Sequence, residues 1–138
     1  MTATPVFPQT VKSYKVQILN ADASNLKTIA TGGSNGSKIV SLNAASTDTS
    51  NRDVQIGVTN GGTFYILGTV TIIAASGTAG GTPAIDLLRS GMIPGLPLDS
   101  DGNPFIFLAS SSDTLQAKSL ATVTTAKEID LNAFGADF

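Results

Sequence analysis

Hydrophobic and polar residues alternate along several short stretches of the chain. Tyr14, Val16 and Ile18 share one face of YKVQILN, and RDVQIGVTN (Arg52–Asn60) alternates in the same way. A period of two is typical of a half-buried β-strand. No stretch shows the amphipathic pattern of a three-turn helix. The pattern therefore predicts a chain made of short strands.

Turn residues separate these stretches. Asn60-Gly61-Gly62 joins Arg52–Asn60 to TFYILGTVTII, which predicts a hairpin over Arg52–Ile73. Within its second strand, Phe64, Ile66, Val70 and Ile72 are expected in one register, and Gly68 predicts a bulge or bend. The other predicted strands are Tyr14–Asn20, Leu26–Thr31, Lys38–Ser46, the buried Phe105–Ser111, Thr114–Ala121 and Ala126–Phe134.

Eight or nine short strands with turns every 8–12 residues or so favour an all-β, antiparallel β-sandwich. In a jelly-roll-like arrangement, the last strand (Ile129–Phe134) pairs beside an early strand. The segment Ala84–Pro104 is left open, because Ala84–Arg89 fits either a strand or a short helical turn. Three prolines exclude a long helix after it.

The two ends are predicted to lie outside the strands. Residues 1–13 contain Pro5 and Pro8 and are expected to form an extended N-terminal arm, while residues 14–138 form a single β-sandwich domain. Residues 133–138 are expected to form an apolar C-terminal tail beyond the last strand. The arm is either a disordered tail or a segment that lies on a neighbour or on its own sandwich. The apolar C-terminal end packs on its own domain or on another protein.

The composition narrows the functional classes. The 138 residues include no cysteine and no histidine, which removes disulfides, thiolate zinc sites and the usual general base. The net charge of -2 provides no cluster of Lys and Arg for nucleic acid. Neither a secretion signal nor a membrane span is apparent, so synthesis in the cytoplasm is expected. Charged residues make up 13% of the chain against a typical value of about 25%, which fits a hydroxyl-rich β surface or a surface covered in an assembly.

Reactive groups are sparse. A serine with Lys38, Lys118 or Lys127 as its base is conceivable, but no supporting motif is present, and the chain is not expected to be an enzyme or to bind a cofactor. The sequence DSDGN (Asp99–Asn103) fits a plain turn, with a weak cation site as the alternative, and no metal is expected. Tyr65 is predicted to face away from Phe64 and is a candidate exposed ligand contact.

Four segments resemble head decoration, or capsid cement, proteins of tailed bacteriophages, which are small β-sandwich proteins. These segments are MTATPVFPQT, GSNGSKIVSL, VQIGVTNGGTFYILGTVTI and LNAFGADF, and the resemblance covers most of the chain apart from Ala84–Pro104. It implies a virion protein, made in the host bacterial cytoplasm, that binds the outer surface of the capsid and stabilises the shell. The implied partners are the major capsid protein and further copies of the chain, as a dimer or trimer, without nucleic acid or membrane.

Apolar anchors would offset the entropy lost when chain ends become ordered on a shell. The candidate capsid or subunit contacts are Val6, Phe7, Phe134 and Phe138. The alternatives are a receptor- or glycan-binding module of a head fibre or tail, with Tyr65 as a contact, and a neck or tail-completion protein.

Overall fold

The structure, a computed structural model, describes residues 7–138, which form nine strands and one short 3-10 turn at Asn20–Asp22. The strands are β1 (Thr10–Leu19), β2 (Lys27–Thr31), β3 (Ser37–Ser46), β4 (Arg52–Asn60), β5 (Thr63–Ile72), β6 (Ile85–Asp86), β7 (Ile106–Leu108), β8 (Asp113–Ser119) and β9 (Glu128–Asp137).

Two antiparallel sheets pack face to face. The first has the order β1-β9-β3-β6, with β7 also paired to β3, and the second has the order β2-β8-β4-β5. The pairs are nested along the chain: β4 pairs with β5, β3 with β6 and β7, β2 with β8, and β1 with β9. A long antiparallel ribbon that is rolled up produces this order, which is the jelly-roll arrangement. The predicted β-sandwich is therefore confirmed.

The core lies between the sheets and is made of aliphatic side chains. Alternation along each strand directs one apolar set inward, as the period of two predicts. Its largest fully buried members are Ile18, Ile39, Leu42, Ile56, Ile72, Leu87, Leu108, Leu115, Ile129, Leu131, Val54 and Val70.

The C-terminal segment is a strand and not a tail. Residues 133–137 belong to β9, which pairs with β1 on one side and with β3 on the other. Small residues allow this close approach, because a Cβ at Gly135 would collide with the carbonyl oxygen of Lys38. The expectation that residues 133–138 lie beyond the last strand is wrong, because residues 133–137 pair with β1 on one side and β3 on the other.

The first strand also starts earlier than the pattern indicates. β1 begins at Thr10, and residues 10–13, which were expected in the arm, pair with residues 134–137 of β9. Main-chain pairing holds residues 10–13 in the sheet. This pairing does not require the Val11 side chain to be buried, and that side chain is 88% exposed. Residues 1–6 lie outside the described part of the chain, and Val6 is among them.

A bulge in β5 changes the side on which residues lie. Ile56 pairs with Gly68 and Gly57 pairs with Ile66, so Leu67 is the extra residue. Val70 and Ile72 remain buried, whereas Ile66 is 59% exposed and the Phe64 ring lies against Gly57. The bulge predicted near Gly68 is present, but the single register predicted for the strand is wrong, because the extra residue reverses the alternation.

The segment Ala84–Pro104, whose structure the sequence did not predict, contributes side chains to the core of the sandwich. After β6, which pairs with Asn43 and Ala44 of β3, the chain forms a series of turns with no further strand before β7. Leu87, Leu88 and Ile93 of this segment are buried in the core. The segment therefore belongs to the domain rather than forming a separate binding loop.

Candidate interaction surface

Strand register gathers apolar side chains on the outer face of the first sheet. Across β1, β9 and β3, Val11 lies opposite Ala136, which lies opposite Lys38, and Lys38 in turn lies opposite Phe107 of β7. Directly opposed residues point to the same side of a sheet. Val11 is 88% exposed and Phe107 is 49% exposed, so both side chains reach solvent on this face.

The next row adds Phe134 and Val40. Phe134 lies opposite Ser13 of β1 and Ser41 of β3 and is 43% exposed. Val40 is the extra residue of a bulge in β3, also 43% exposed, and follows the buried Ile39. Its side chain therefore points away from the core.

Phe138 completes this cluster and is held in place. Its ring meets the Phe107 ring edge to face, with centroids 5.9 Å apart, and its N–H donates to the carbonyl of Gly36 (3.0 Å). Edge-to-face aromatic pairs are a favoured geometry. Val11, Val40, Phe107, Phe134 and Phe138 are called the outer-face patch below.

The predicted contact residues separate into two groups. Phe134 and Phe138 lie together in the outer-face patch. Phe7, which is 69% exposed, precedes β1 in the chain. Two residues after Phe7, the Gln9 N–H donates to the Asp137 carbonyl. Tyr65 is 59% exposed but lies on β5 of the second sheet. The structure therefore does not place Tyr65 with the phenylalanines.

Sequence reasoning missed Val11, Val40 and Phe107. Phe107 was included in a strand expected to be buried, and only its neighbours Ile106 and Leu108 are buried. The signal was available in FIFL, where strict alternation places Phe107 opposite to Ile106. Val11 and Val40 carried no such signal, because one lies in the supposed arm and the other at a bulge.

A polar cluster supports the same end of the sheet from the inner side. The Ser37 hydroxyl donates to Asp137 (2.6 Å) and accepts from the Gly33 N–H (2.8 Å), and Lys12 lies 3.6 Å from the same carboxylate. Burial and the negative charge of Asp137 raise the pKa of Tyr14. These bonds fix the end of β9 next to the start of β3.

The candidate cation loop is organised as a turn. The Asp99 carboxylate accepts from the N–H groups of Asp101 and Asn103, both at 2.9 Å, and these bonds lower the pKa of Asp99. Within residues 7–138, no group of three or more acidic, histidine or cysteine side chains could hold a metal ion.

Lys38, which lies opposite Phe107 on the same face of the sheet, contacts an aromatic ring. The Lys38 ammonium lies 4.6 Å from the centroid of the Phe105 ring, a cation–π distance.

In the part of the chain that the structure describes, no helix is long and apolar enough to cross a membrane.

Solved structures similar to this chain include one from a cyanophage capsid and one from a virus-like particle. No protein-family model matches the sequence, and no curated protein is significantly similar to it. A chain of the cyanophage Pam1 capsid asymmetric unit aligns over 100% of this chain and 94% of its own, with 12% identity and a TM-score of 0.46. A chain of the virus-like particle of the extra small virus of the giant freshwater prawn Macrobrachium rosenbergii aligns over 98% and 85%, with 15% identity and a TM-score of 0.35. Neither similarity establishes a family for this chain.

Proposed function

We propose that this protein is a non-enzymatic virion component that binds the outer surface of a bacteriophage capsid and stabilises the shell. The observation that carries the proposal is the outer-face patch, whose five apolar side chains lie on the solvent-facing side of the first sheet around Lys38, four on strands and Phe138 directly after β9. Contiguous exposed apolar surface on a small domain marks an interaction site.

The chemistry of the patch suits binding to another protein. Phe107, Phe134 and Phe138 are large and rigid, and aromatic residues at the centre of an interface supply much of its binding energy. Ser13 and Ser41 flank Phe134 on either side and can form the polar rim. Because the patch sits on paired strands rather than on a loose tail, little conformational entropy is lost on binding.

The sequence resemblance to capsid decoration proteins supports the choice of partner. The closing segment of that resemblance, LNAFGADF, supplies Phe134 and Phe138 of the patch. A protein that binds only the assembled shell stabilises it by mass action, and many symmetric copies multiply the effect. The proposed partners are therefore the major capsid protein and neighbouring copies of this chain.

A pair of variants tests the role of the patch. Phe134→Asp places a charge within the patch, and Leu120→Asp makes the same change at a 48% exposed leucine that follows β8 in the second sheet. In a co-sedimentation assay with capsids stripped of this protein, we expect Phe134→Asp to bind at least roughly tenfold more weakly and Leu120→Asp to bind like the parent. Circular dichroism is the control that checks whether both variants fold.

Two outcomes would contradict the proposal. If Phe134→Asp binds like the parent, the patch is not the contact. If the parent protein does not bind capsids but binds host cells or polysaccharide, and Tyr65→Ala removes that binding, the receptor- or glycan-binding alternative replaces it.

A further inference from the structure

The sheet edges of this sandwich are protected unequally. In the described part of the chain, β1 and the short β6 and β7 lie at the edges of the first sheet, and β2 and β5 lie at the edges of the second. An edge strand presents unpaired N–H and C=O groups, and natural proteins block such edges with short strands, bulges or charges, lysine above all.

Three of these edges carry a recognisable block. β1 contains Lys12 and Lys15, β2 has five residues and a bulge, and β6 and β7 have two and three residues. β5 has ten residues, TFYILGTVTI, and none is charged. Its bulge residue is Leu67, so the segment Thr63–Leu67 pairs regularly with β4 up to Ile66 and ends at the bulge.

This segment of β5 is apolar and open. Tyr65 and Ile66 are each 59% exposed. Among residues 7–138, no main-chain hydrogen bond joins Thr63–Leu67 to any segment other than β4. Met92, which is 52% exposed, lies beside the same strand, because a Cβ placed on Gly68 would lie 2.5 Å from the Met92 carbonyl oxygen.

We propose that Thr63–Leu67 pairs antiparallel with the same segment of a second copy, which joins two four-stranded sheets into one eight-stranded sheet. The twofold axis passes Tyr65, the central residue of the segment. The absence of charged side chains on β5 favours a second copy of this chain as the partner. A twofold contact brings identical residues close together, and two uncharged β5 strands do not repel each other. The same contact through β1 would bring Lys12 and Lys15 of two copies together.

The surrounding side chains enlarge this contact. A strand pair alone buries less than the ~1,200 Å² of a stable interface. Tyr65 and Ile66 of both copies add apolar surface on the two sides of the joined sheet, because successive residues of a strand point to opposite faces. This dimer forms in solution without a capsid, so its test is independent of the proposed shell binding.

Sedimentation velocity over roughly 1–100 μM, a span that brackets micromolar dissociation constants, measures the association. We expect a species of about twice the 14.0 kDa chain mass. Ile66→Lys should raise the dissociation constant at least roughly tenfold, since it places two lysines diagonally across the axis on one face of the joined sheet. Leu120→Lys should leave it unchanged. A parent that stays monomeric or forms a trimer, or an Ile66→Lys variant that associates like the parent, overturns the proposal.

Cysteine cross-linking tests the register directly, because the natural chain has no cysteine. Directly opposed residues in paired antiparallel strands lie close enough for a disulfide. Oxidation should therefore link Tyr65→Cys into a covalent dimer and leave Val11→Cys, at the exposed β1 edge, monomeric. A cross-link at Val11→Cys, or none at Tyr65→Cys, contradicts the pairing.

Discussion

At the scale of single residues, the structure reveals a buried carboxylate that holds two loops together. Asp48 is fully buried, accepts from Arg52 Nε at 2.8 Å, and accepts from the Thr124 N–H and hydroxyl at 3.0 and 2.7 Å. The loop after β3 is thereby tied to the loop before β9. From the sequence, this residue belonged to an ordinary polar loop, because nothing local shows that Thr124 lies beside it.

Replacing this carboxylate should destabilise the fold. Burial alone would raise the pKa of Asp48, but hydrogen bonds from Arg52, Thr124 and Ser50 hold it well below its usual range. We expect Asp48→Asn to lower the free energy of unfolding by about 3 kcal/mol, because it leaves the Arg52 guanidinium, whose side chain is only 16% exposed, without its charged partner. Urea denaturation measures this loss. Asp86→Asn, which breaks an exposed pair with Arg89, is the control and should change stability by less than about 1 kcal/mol.

The lowered pKa of Asp48 predicts that the free energy of unfolding depends on pH in the acid range. The pKa of this carboxylate is lower in the folded than in the unfolded chain, where it is about 3.9, so its stabilisation is complete above that value and lost as the pH falls further. The difference in unfolding free energy between the parent and Asp48→Asn should therefore shrink between pH 5 and pH 2. A difference that stays constant over this range would show that ionised Asp48 contributes nothing.

At the scale of elements, the hairpin of β4 and β5 was predicted nearly to the residue. Asn60-Gly61-Gly62 supplies the turn, and Gly61 and Gly62 have φ values of 58° and 80°, which glycine adopts without strain. Its predicted boundaries, Arg52 and Ile73, compare with Arg52 and Ile72 in the structure. Strong local turn chemistry made this hairpin predictable.

Elements that depend on distant partners were less predictable. The early start of β1 and the extension of β9 to Asp137 come from their mutual pairing, since residues 10–13 and 134–137 have no clear strand pattern of their own. The side reversal in β5 follows from one extra residue, which a period of two does not locate. Tertiary pairing overrode the local pattern in each case.

Removing residues 133–138 should therefore abolish folding rather than only weaken binding. β9 lies between β1 and β3, and the deletion removes hydrogen bonds on both sides together with the buried Ala133. We expect the truncated chain to lose the cooperative thermal transition seen by circular dichroism. Phe138→Ala, which removes one ring and keeps the strand, should keep that transition. A truncated chain that melts like the parent would show that the end of β9 is dispensable.

At the scale of the whole molecule, rolling the chain into a jelly roll creates the outer-face patch. Its residues are 11, 40, 107, 134 and 138, which are far apart in sequence and meet only through the pairing of β1, β9, β3 and β7. The sequence identified Phe134 and Phe138 because they stand out near the chain end. The other three members depend on strand order and register, which local patterns do not give.

The low charge of the molecule predicts the salt dependence of binding. With a net charge of -2 and an apolar contact, attachment to capsids should not rely on ion pairs. We expect the dissociation constant to change less than about threefold between 50 and 500 mM NaCl, since only charge-driven contacts are strongly screened. Titration of capsids at both salt concentrations measures it, and a loss of binding of tenfold or more at high salt would contradict an apolar contact.

Immunogold electron microscopy tests the central claim most directly. Particles from the infected culture that produces the protein are labelled with antibody against this chain. A capsid decoration protein predicts label spread evenly over the heads. Label at a single vertex, on tails only, or on no particle would contradict that role and favour a neck protein, a tail adhesion protein or a non-virion protein respectively.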